Sequence, residues 1–405
     1  MEAYRSVKAN NGAAGVDEES LKDFGKDLKM NLYKIWNRMS SGSYFPPPVR
    51  TVEIPKADGK LRKLGIPTVG DRVAQMVVKM YLEPRVEPTF HPDSFGYRPQ
   101  KSAIQAVEVA RKRCWKYDWV IDLDIKGFFD NIDHELMMRA VKKHTTEPWI
   151  LMYIKRWLEV PTQEADGSKT ERNKGTPQGG VISPLLANIY LHYSFDDWIQ
   201  RNYPSNPFER YADDIVVHCR TEDEAIKLRE AIRERLQKCK LELHPEKTKI
   251  VYCKDSNRTG SGQIEKFDFL GFTFRPRSSM NRYGKLFVNF SPAMSDKAKE
   301  KKRDDIKSWL KEVKPTDTLT ELAKVANPAV TGWINHYGRF YAAELWSTMN
   351  SVDAIIMKWA KKKYEQFKRS KRKVRRWLAD TKKRLPTLFK SWLWMRRHDL
   401  DRRAV

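Results

Sequence analysis

The stretch Tyr211-Ala-Asp-Asp-Ile-Val-Val217 places two adjacent carboxylates directly before an apolar, β-branched run. This pattern predicts a β-hairpin whose turn carries Asp213 and Asp214. Like charges that are adjacent in a turn repel each other, and a divalent cation bound by their oxygens would relieve that repulsion. The hairpin therefore suggests a magnesium site, although Asp-Asp pairs are also common in turns and at helix N-caps that bind no metal.

A third carboxylate is available upstream of this hairpin. Residues 119–125 form an apolar, strand-like run that contains Asp122 and Asp124. Side chains two residues apart point to the same face of a strand, so the spacing alone leaves either aspartate as the partner of Asp213. Metal sites built from such carboxylates usually serve phosphate chemistry.

The charge of the chain indicates a polyanionic partner. The formal net charge is +25 over 405 residues, and residues 291–405 contain 29 Lys and Arg against 13 Asp and Glu, so most of the excess lies in the last third. Such a charge is self-repulsive without a polyanion. Nucleic acid is therefore the first candidate, with a solubility surface or anionic lipid as the alternatives.

Several protein classes are excluded by what the sequence lacks. No apolar run reaches the roughly 18 residues that a membrane span needs, and residues 1–10 contain no apolar core of a secretory signal. The four cysteines are far apart and form no Cys-x-x-Cys pair, which argues against structural zinc and against a disulfide framework. We therefore expect a cytoplasmic protein with no membrane partner.

Helical and strand patterns alternate up to about residue 290 and predict an α+β fold with helices on one face of a sheet. Residues 17–40 have apolar side chains at helical spacing, and residues 49–66 indicate a strand pair around an Asp-Gly turn. A glycine-rich loop, 174–183, leads into a helix predicted to continue to about residue 201. From about residue 291 the strand signals stop, and basic helical segments follow.

Seven segments of the chain resemble, in order, the motifs of one family, the group II intron-encoded reverse transcriptases/maturases. The segments are Asn11-Gly-Ala-Ala-Gly-Val-Asp17, Phe95-Gly-Tyr-Arg-Pro99, Asp124-Ile-Lys-Gly-Phe-Phe-Asp-Asn-Ile-Asp133, Gly175-Thr-Pro-Gln-Gly-Gly-Val-Ile-Ser-Pro184, Tyr211-Ala-Asp-Asp214, Phe269-Leu-Gly-Phe272 and Gly332-Trp-Ile-Asn-His-Tyr337. The resemblance extends over nearly the whole chain, and it implies an RNA-directed DNA polymerase.

The resemblance also implies a right-hand polymerase architecture with four parts. Fingers with an N-terminal extension block would occupy 1–118, and a palm with an antiparallel sheet would occupy 119–290. A helical thumb/maturase domain would follow over 291–375, and a short basic DNA/RNA-binding segment over 376–405. Because no paired Cys and His pattern of a nuclease is present, the chain resembles the short class of the family. It begins almost at the Asn11 block, so an N-terminal helix of relatives would be shortened or missing.

Catalytic roles are carried over from the family motif by motif. The resemblance selects Asp124 over Asp122 and implies that Asp124, Asp213 and Asp214 hold two Mg²⁺ ions, for which Mn²⁺ can substitute. The backbone carbonyl of Ile125 would be a further metal ligand. For Asp214, a structural role in the turn stays open.

The resemblance assigns five residues to the nucleotide. Lys56 and Arg62 would grip the triphosphate, roles that suit a point charge and a planar fork. Phe129 would abut the sugar and exclude a ribose 2′-hydroxyl, whereas the neighbouring Phe128 belongs in the core. Gln178 would line the nucleotide pocket, and Lys247 is either a general acid or a solvated lysine.

A further set of residues is assigned to nucleic acid. Phe269, Leu270 and Gly271 would grip the primer, although a buried strand is the alternative for them. Residues expected to contact nucleic acid are Arg98, Arg339, Lys361, Lys362, Lys371, Arg372, Arg375 and Arg376. Basic side chains of this kind track phosphates and make binding dependent on salt.

The leading hypothesis is a polymerase that copies RNA and also binds its intron RNA to assist splicing and retrohoming of a mobile element. Its partners would be an RNA template, intron RNA, a DNA primer or target and dNTPs, in a bacterial host. One alternative is a non-catalytic RNA-binding maturase, which would have no need of a repulsive acidic cluster. Another is a host-adopted reverse transcriptase in phage defence or DNA repair. Monomer and dimer both stay open.

Overall fold

The chain divides into two units in the computed structural model. The first comprises Met1–Ala106 and Trp119–Ile250, and the second comprises Val107–Asp118 and Val251–Val405. The structure describes residues 1–55, 61–281, 283–314 and 316–403, without the side chains of 399–403. The predicted Asp-Gly turn and Lys56 lie outside the described residues. The four-part division stays a prediction.

Helices and short strands alternate in the first unit, which confirms the α+β class. Its helices are α1 (Glu2–Ala9), α2 (Leu21–Phe24), α3 (Leu28–Ser40) and α4 (Val69–Val86), then α5 (Ala103–Cys114) at the unit boundary, and α6 (Phe128–Asn131), α7 (His134–Val141), α8 (Pro148–Glu159), α9 (Ser183–Leu191), α10 (Asp197–Asn202) and α11 (Glu222–Lys238). A π-helical turn, His192–Asp196, joins α9 to α10. Its strands are β1 (Val49–Pro55), β2 (Leu61–Ile66), β3 (Trp119–Asp124), β4 (Thr162–Gln163), β5 (Lys169–Thr170), β6 (Phe208–Tyr211) and β7 (Asp214–Cys219).

Two sheets shape the first unit. One has the order β2-β1-β4-β5, with β1 and β2 antiparallel. In the other, β7 pairs antiparallel with β6 on one side and with β3 on the other, and β8 (Lys249–Tyr252) is the fourth strand, at which the chain leaves the unit. The residues of β3 and β7 are buried except Asp122, Asp124 and Asp214, as expected for strands rich in valine and isoleucine.

The helix predicted over residues 17–40 is interrupted in the structure. Ser20 caps the single turn of α2 by accepting a hydrogen bond from Asp23 N, and that turn ends at Gly25. The chain then restarts as α3, and the Asn31 side chain donates to the carbonyl of Phe24 at the break. The apolar spacing did identify the buried side, because Phe24 packs with Tyr4 and Val73. A glycine and local capping hydrogen bonds can interrupt a helix that the apolar spacing predicts, because they give the backbone other hydrogen-bond partners.

The second unit combines a small sheet with a helical core. Its antiparallel sheet consists of β9 (Phe267–Phe269), β10 (Phe272–Met280) and β11 (Leu286–Met294). Its helices are α12 (Asp296–Glu312), α13 (Leu319–Tyr337), α14 (Trp346–Lys363), α15 (Lys371–Arg384) and α16 (Lys390–Arg403). Trp309 and Trp333 stack in the helical core, with ring centroids 5.7 Å apart. Among the described residues, no helix is long and apolar enough to cross a membrane.

A buried carboxylate holds the centre of α4. Asp71 is fully buried and accepts hydrogen bonds from the Tyr44 hydroxyl (2.9 Å), Trp157 Nε1 (2.8 Å) and Gln75 Nε2 (2.9 Å). Burial raises the pKa of Asp71 to about 6, although these three donors act in the opposite direction. The side chain of Gln75 in turn accepts a hydrogen bond from Ile182 N, which ties α4 to the start of α9.

The raised pKa of Asp71 predicts a specific pH dependence of stability. Because the folded state binds the proton more tightly than the unfolded state, the free energy of unfolding should fall as pH rises from about 4 to about 6 and then level off. A difference of about two pKa units corresponds to about 3 kcal/mol. Urea unfolding of wild type and Asp71→Asn at pH 4 and pH 7 should show the variant gaining about this much relative to wild type. A pH-independent difference between them would contradict the assignment.

Candidate active site

Three carboxylates meet at one end of the sheet in the first unit. Asp124 ends β3 and pairs in register with Asp214, the first residue of β7. Asp213 lies in the tight turn between β6 and β7, where Ala212 adopts a left-handed conformation with φ +57°. Asp124 and Asp213 line the same cavity of about 620 Å³. Asp122, which spacing could not exclude, pairs with Val216 and does not line this cavity.

The electrostatics of the three carboxylates follow from their crowding. Desolvation by the surrounding protein, then the charges of Asp213 and Asp124, raise the pKa of Asp214 to about 7, although part of its side chain stays exposed. Burial and the charge of Asp124 also raise the pKa of Asp213, against the opposing effect of Arg62. A cation bound between these groups would favour their charged forms.

Lys247 already supplies one positive charge to this cluster. Its Nζ lies 3.2 Å from Asp124 Oδ2, and the two side chains are 63% and 39% exposed, respectively. In the described part of the chain, no group of three or more His, Cys, Asp and Glu side chains is arranged to hold a metal ion. The donor set nevertheless fits magnesium in chemistry, because carboxylate oxygens are the ligands that this ion prefers. The Lys247 side chain would have to leave Asp124 to make room for it.

The glycine-rich loop 175–180 joins both walls of the cavity. On one side, Gly65 N of β2 donates to the carbonyl of Gln178 (2.8 Å), and Arg62 Nε donates to the Gln178 side chain (2.6 Å). On the other side, Thr176 N donates to the carbonyl of Phe129 (2.8 Å). Gly179 has φ +122°, and a Cβ there would collide with the carbonyl oxygen of Gly65. Glycine thus permits the backbone contact that sets the loop against β2.

The two phenylalanines after β3 lie in different environments. Phe128 is 2% exposed and packs against Tyr190, whereas Phe129 is half-buried, and both residues line the cavity beside Asp124. The structure therefore brings Arg62, Phe129, Gln178 and Lys247 to the same cavity as Asp124 and Asp213. Ile125 also lines it, and the role of its carbonyl as a metal ligand stays a prediction. His244 lines it too, and the sequence patterns did not indicate this residue.

The segment Phe95-Gly-Tyr-Arg-Pro99 supports the carboxylate-bearing turn. Phe95 N donates to the carbonyl of Arg210 (2.7 Å), and a Cβ on Gly96 would collide with Ala212 N and lie 2.9 Å from the Tyr211 carbonyl carbon. The position of Arg98 corrects the expected nucleic-acid contact. Its side chain is 6% exposed, lies 2.7 Å from Glu87 and donates to two backbone carbonyls, so protein groups take up its hydrogen bonds.

The predicted primer-gripping segment forms a tight turn in the second unit. Phe269 is 1% exposed and pairs with Phe272 across the turn, so its side chain belongs to the core of the sheet. Leu270 (φ +52°) and Gly271 (φ +82°) form the turn itself. A Cβ on Gly271 would lie 3.3 Å from the Tyr337 hydroxyl, which ties this turn to α13. If this segment touches a primer, it does so through Leu270 and the backbone.

The basic residues predicted to bind nucleic acid lie at the surface of the second unit. Arg339, Lys362, Lys371, Arg372, Arg375 and Arg376 are exposed, and Lys361 is half-exposed. In the part of the chain that the structure describes, no ion pair engages these side chains. On α15 the opposite side is apolar, since Val374 and Leu378 are buried in the helical core. The helix therefore presents a stripe of free positive charge.

Three buried residues beneath the turn were not indicated by the sequence patterns. They are Asn188 of α9, Asp196 of the π turn and Arg210 of β6. The one sequence signal that could have indicated them is Arg210, a charged residue that precedes Tyr211 in an otherwise buried strand. An arginine there must have a partner, because an isolated buried charge is strongly unfavourable.

Comparisons with known proteins agree with this arrangement. Residues 54–274 match the family described as reverse transcriptase (RNA-dependent DNA polymerase), and residues 299–377 match the group II intron, maturase-specific domain. The chain is 32% identical over 328 residues to Protein YkfC of Escherichia coli (strain K12). This alignment covers 71% of this chain and 82% of YkfC. It is 36% identical over 193 residues to the group II intron-encoded protein LtrA of Lactococcus lactis subsp. cremoris, which covers 47% of this chain and 32% of LtrA.

The reverse transcriptase match covers more than half of the chain. The chain therefore belongs to the group II intron reverse transcriptase/maturase family, as its ordered motifs predicted. Nucleic-acid partners, RNA among them, follow from the two matched domains. Because the matched region spans about a third of LtrA, what that whole protein does is relevant here only as a proposal.

The contact of Gly96 with the turn predicts a sensitive position. Gly96→Ala should displace the backbone around Tyr211 and Ala212, since neither backbone atom can move independently of the strands. We expect the free energy of unfolding to fall by about 1–3 kcal/mol, as for other overpacked sites, measured by urea denaturation. Gly70→Ala in α4 is the control, because a Cβ there meets only Ile35 and Phe24 side chains at ordinary distances of 3.6 and 3.8 Å. Equal stability of the two variants would refute the proposed crowding.

Proposed function

We propose that the first unit is the catalytic part of an RNA-directed DNA polymerase that extends a primer on an RNA template. The observation that carries this proposal is the composition of one cavity. Asp124, Asp213, Arg62 and the half-buried Phe129 all line it. Carboxylates for a metal, a cation for phosphates and an apolar surface for a sugar are the groups that nucleotide addition needs.

The wider architecture is part of the same proposal. Residues 1–118 are the fingers, 119–290 the palm, 291–375 the thumb/maturase domain and 376–405 a basic DNA/RNA-binding segment. The sheet of β3, β6 and β7, with the carboxylates at one end, corresponds to the palm. The hairpin of β1 and β2, which carries Arg62, corresponds to the tip of the fingers.

The residues of this chain have distinct tasks in the reaction. Asp124 and Asp213 hold the metal, with Asp214 as the neighbouring carboxylate and the Ile125 carbonyl as a further ligand. When bound there, two Mg²⁺ ions, or Mn²⁺ in their place, would supply Lewis-acid activation of the primer 3′-hydroxyl and would neutralise charge on the triphosphate. The protein then works mainly by holding primer and nucleotide in line.

Arg62 and Lys247 change partners when substrates bind. Arg62 Nε donates to Gln178 in the structure, and Lys247 pairs with Asp124. An incoming triphosphate offers Arg62 a stronger, charge-assisted acceptor, which frees Gln178 to contact the base pair. Lys247 would leave Asp124 when this carboxylate holds a metal, and its ammonium would then be the general acid that protonates the leaving pyrophosphate. Lys56 assists Arg62 in gripping the triphosphate.

Phe129 excludes ribonucleotides. Its ring lines the cavity next to Asp124 and Gln178, and its backbone carbonyl is fixed by the hydrogen bond from Thr176 N. Because this bond and the close packing of Gly175 against the Phe129 carbonyl oxygen hold the segment in place, the ring cannot retreat easily from an added 2′-hydroxyl. Sugar selectivity therefore follows from steric exclusion rather than from hydrogen bonding.

The second unit binds RNA, including structured intron RNA, and so assists splicing and mobility. The match to a maturase-specific domain and the exposed basic stripe of α15 support this assignment. Arg339, Lys361 and Lys362 extend the same basic surface, and the turn at Leu270 and Gly271 contacts the primer. A non-catalytic maturase is the less favoured function, since a pure RNA binder gains nothing from three mutually repelling carboxylates. Roles in phage defence or DNA repair would use the same chemistry on other RNAs.

Removing one carboxylate tests the metal assignment. Asp213→Asn should lower primer extension on an RNA template with Mg²⁺ and dNTPs by a factor on the order of 10³, while RNA affinity is retained. Asp122→Asn is the matched control: it lies on the same sheet but outside the cavity, and it should extend primers normally. Full activity of the Asp213 variant, or equal losses in both, would rule out the metal site. An inactive wild-type protein would leave the non-catalytic maturase as the function.

Shortening Phe129 tests the sugar selectivity. Phe129→Ala should raise the incorporation of ribonucleotides relative to deoxynucleotides by about 10-fold or more, because the space for a 2′-hydroxyl opens. The ratio of kcat/KM for dCTP and CTP on the same template measures this effect. Phe90→Leu is the control, since Phe90 is a buried phenylalanine that does not line the cavity, and it should leave the ratio unchanged. An unchanged ratio in the Phe129 variant would remove the steric role.

A further inference from the structure

A fully buried ion pair lies directly beneath the carboxylate-bearing turn. The side chains of Arg210 and Asp196 are both 0% exposed, and the guanidinium donates through Nε and Nη2 to the two Asp196 oxygens at 2.7 and 2.6 Å. Arg210 Nη1 donates to Asn188 Oδ1 (2.9 Å) and to the carbonyl of Ala212 (3.1 Å). One side chain thus joins α9, the π turn and the turn of the hairpin.

The bond to Ala212 acts on the peptide that leads to Asp213. The carbonyl of Ala212 belongs to the peptide group between these two residues, so its orientation sets the direction in which the chain enters Asp213. Ala212 has φ +57°, a conformation that an alanine adopts only when its surroundings enforce it. The hydrogen bond from Arg210 is part of that enforcement, because it holds the carbonyl toward the protein interior.

Asn188 extends the same network to the other side of the turn. Its Nδ2 donates to the carbonyl of Gly96 (2.7 Å) while its Oδ1 accepts from Arg210. Gly96 is the residue that packs against the backbone of the turn. The side-chain amide of Asn188 therefore binds both the side chain of Arg210 and the segment around Gly96, and the turn lies between these two groups.

The π turn explains how Asp196 and Asn188 reach the same arginine. They are eight residues apart, and two turns of a regular α-helix take about 7.2 residues. The π turn His192–Asp196 accommodates an extra residue, so eight residues advance the helix about as far as seven would. Both side chains consequently lie on one helix face. Such turns are rare and occur often at functional sites.

Stability alone does not account for this ion pair. Two charges that leave water lose more solvation than their attraction returns in many proteins, and apolar replacements are often as stable. The donors of the Arg210–Asp196 pair, however, also reach the active-site turn. A second buried pair on the same hairpin joins His218 Nε2 and Glu209 Oε2 at 2.7 Å.

We propose that Arg210 is a positioning residue for the polymerase reaction, which holds the Ala212–Asp213 peptide so that the Asp213 carboxylate faces Asp124. Asp196 fixes the guanidinium, and Asn188 couples it to the segment around Gly96. This inference rests on the proposed polymerase function. Because it concerns the geometry of the turn, it can also be tested without activity.

Arg210→Lys in the full chain is the direct test. A lysine keeps the charge for Asp196, but a single ammonium cannot serve Asp196, Asn188 and the Ala212 carbonyl together. We expect kcat for primer extension to fall by about 10- to 100-fold, as for a misplaced reacting group, and the Mg²⁺ concentration for half-maximal activity to rise. The KM for dNTP and the RNA affinity should change less than about threefold, since Arg62 and the second unit are untouched.

Hydrogen exchange gives the readout that does not need activity. In Arg210→Lys, amides in the peptide that contains residues 211–214 should exchange at least about 10-fold faster than in wild type, while those of α11 keep their rates. Glu209→Gln is the matched control, because it weakens the neighbouring buried pair on the same strand. It should keep kcat, the Mg²⁺ dependence and the exchange of 211–214 near wild type, whatever its melting temperature.

The outcomes separate the possible failures. If Arg210→Lys does not fold, Asp196→Asn decides by the same two readouts, because asparagine keeps the shape and one accepting oxygen. If the folded variant behaves like Glu209→Gln, Arg210 is merely structural and the inference is overturned. If wild type extends no primers, the proposed function fails, and hydrogen exchange at 211–214 still confirms or overturns the role of Arg210 in the turn.

Discussion

The repulsion between three carboxylates at one end of a small sheet is the constraint on which the first unit depends. The register of β3 and β7 holds Asp124 and Asp214 opposite each other, and Asp213 lies in the turn directly before Asp214. Left alone, these groups would favour protonation, as the raised pKa values of Asp213 and Asp214 indicate. The ammonium of Lys247 beside Asp124 offsets part of the repulsion. A rigid frame around the carboxylates leaves a cavity in front of the cluster.

That frame is made largely of backbone contacts rather than side-chain packing. The glycine-rich loop lies against β2 at Gly65, and the segment around Gly96 lies against the turn. In both places a side chain would push the backbones apart, so glycine is required by close approach and not by flexibility. Backbone held in this way moves little, which suits chemistry that depends on placing two reactants rather than on a reactive side chain. Arg210 adds a hydrogen bond from its guanidinium to the carbonyl of Ala212 in the turn.

Local sequence patterns predicted the elements well where a single strand or helix decides them. The hairpin of β6 and β7 and strand β3 lie where the apolar patterns indicated. The patterns failed where the partners of a side chain depend on how an irregular segment folds. Arg98 looked like a phosphate ligand, yet Glu87 and nearby carbonyls bind it. The spacing of Asp122 and Asp124 could not say which of them ends beside the turn, because both lie on one face of β3.

The sequence by itself determined the family, the α+β class and the order of the acidic, glycine-rich and basic segments, since these depend on residue identity and near neighbours. The tertiary structure alone decided which groups meet: Lys247 with Asp124, Arg62 with Gln178, and Arg210 with Asp196. Each of these contacts joins residues from different elements, so it exists only once strand register and helix rotation are set. The π turn illustrates the reason, because one extra residue rotates Asp196 onto the face that Arg210 can reach, and no local pattern records that rotation.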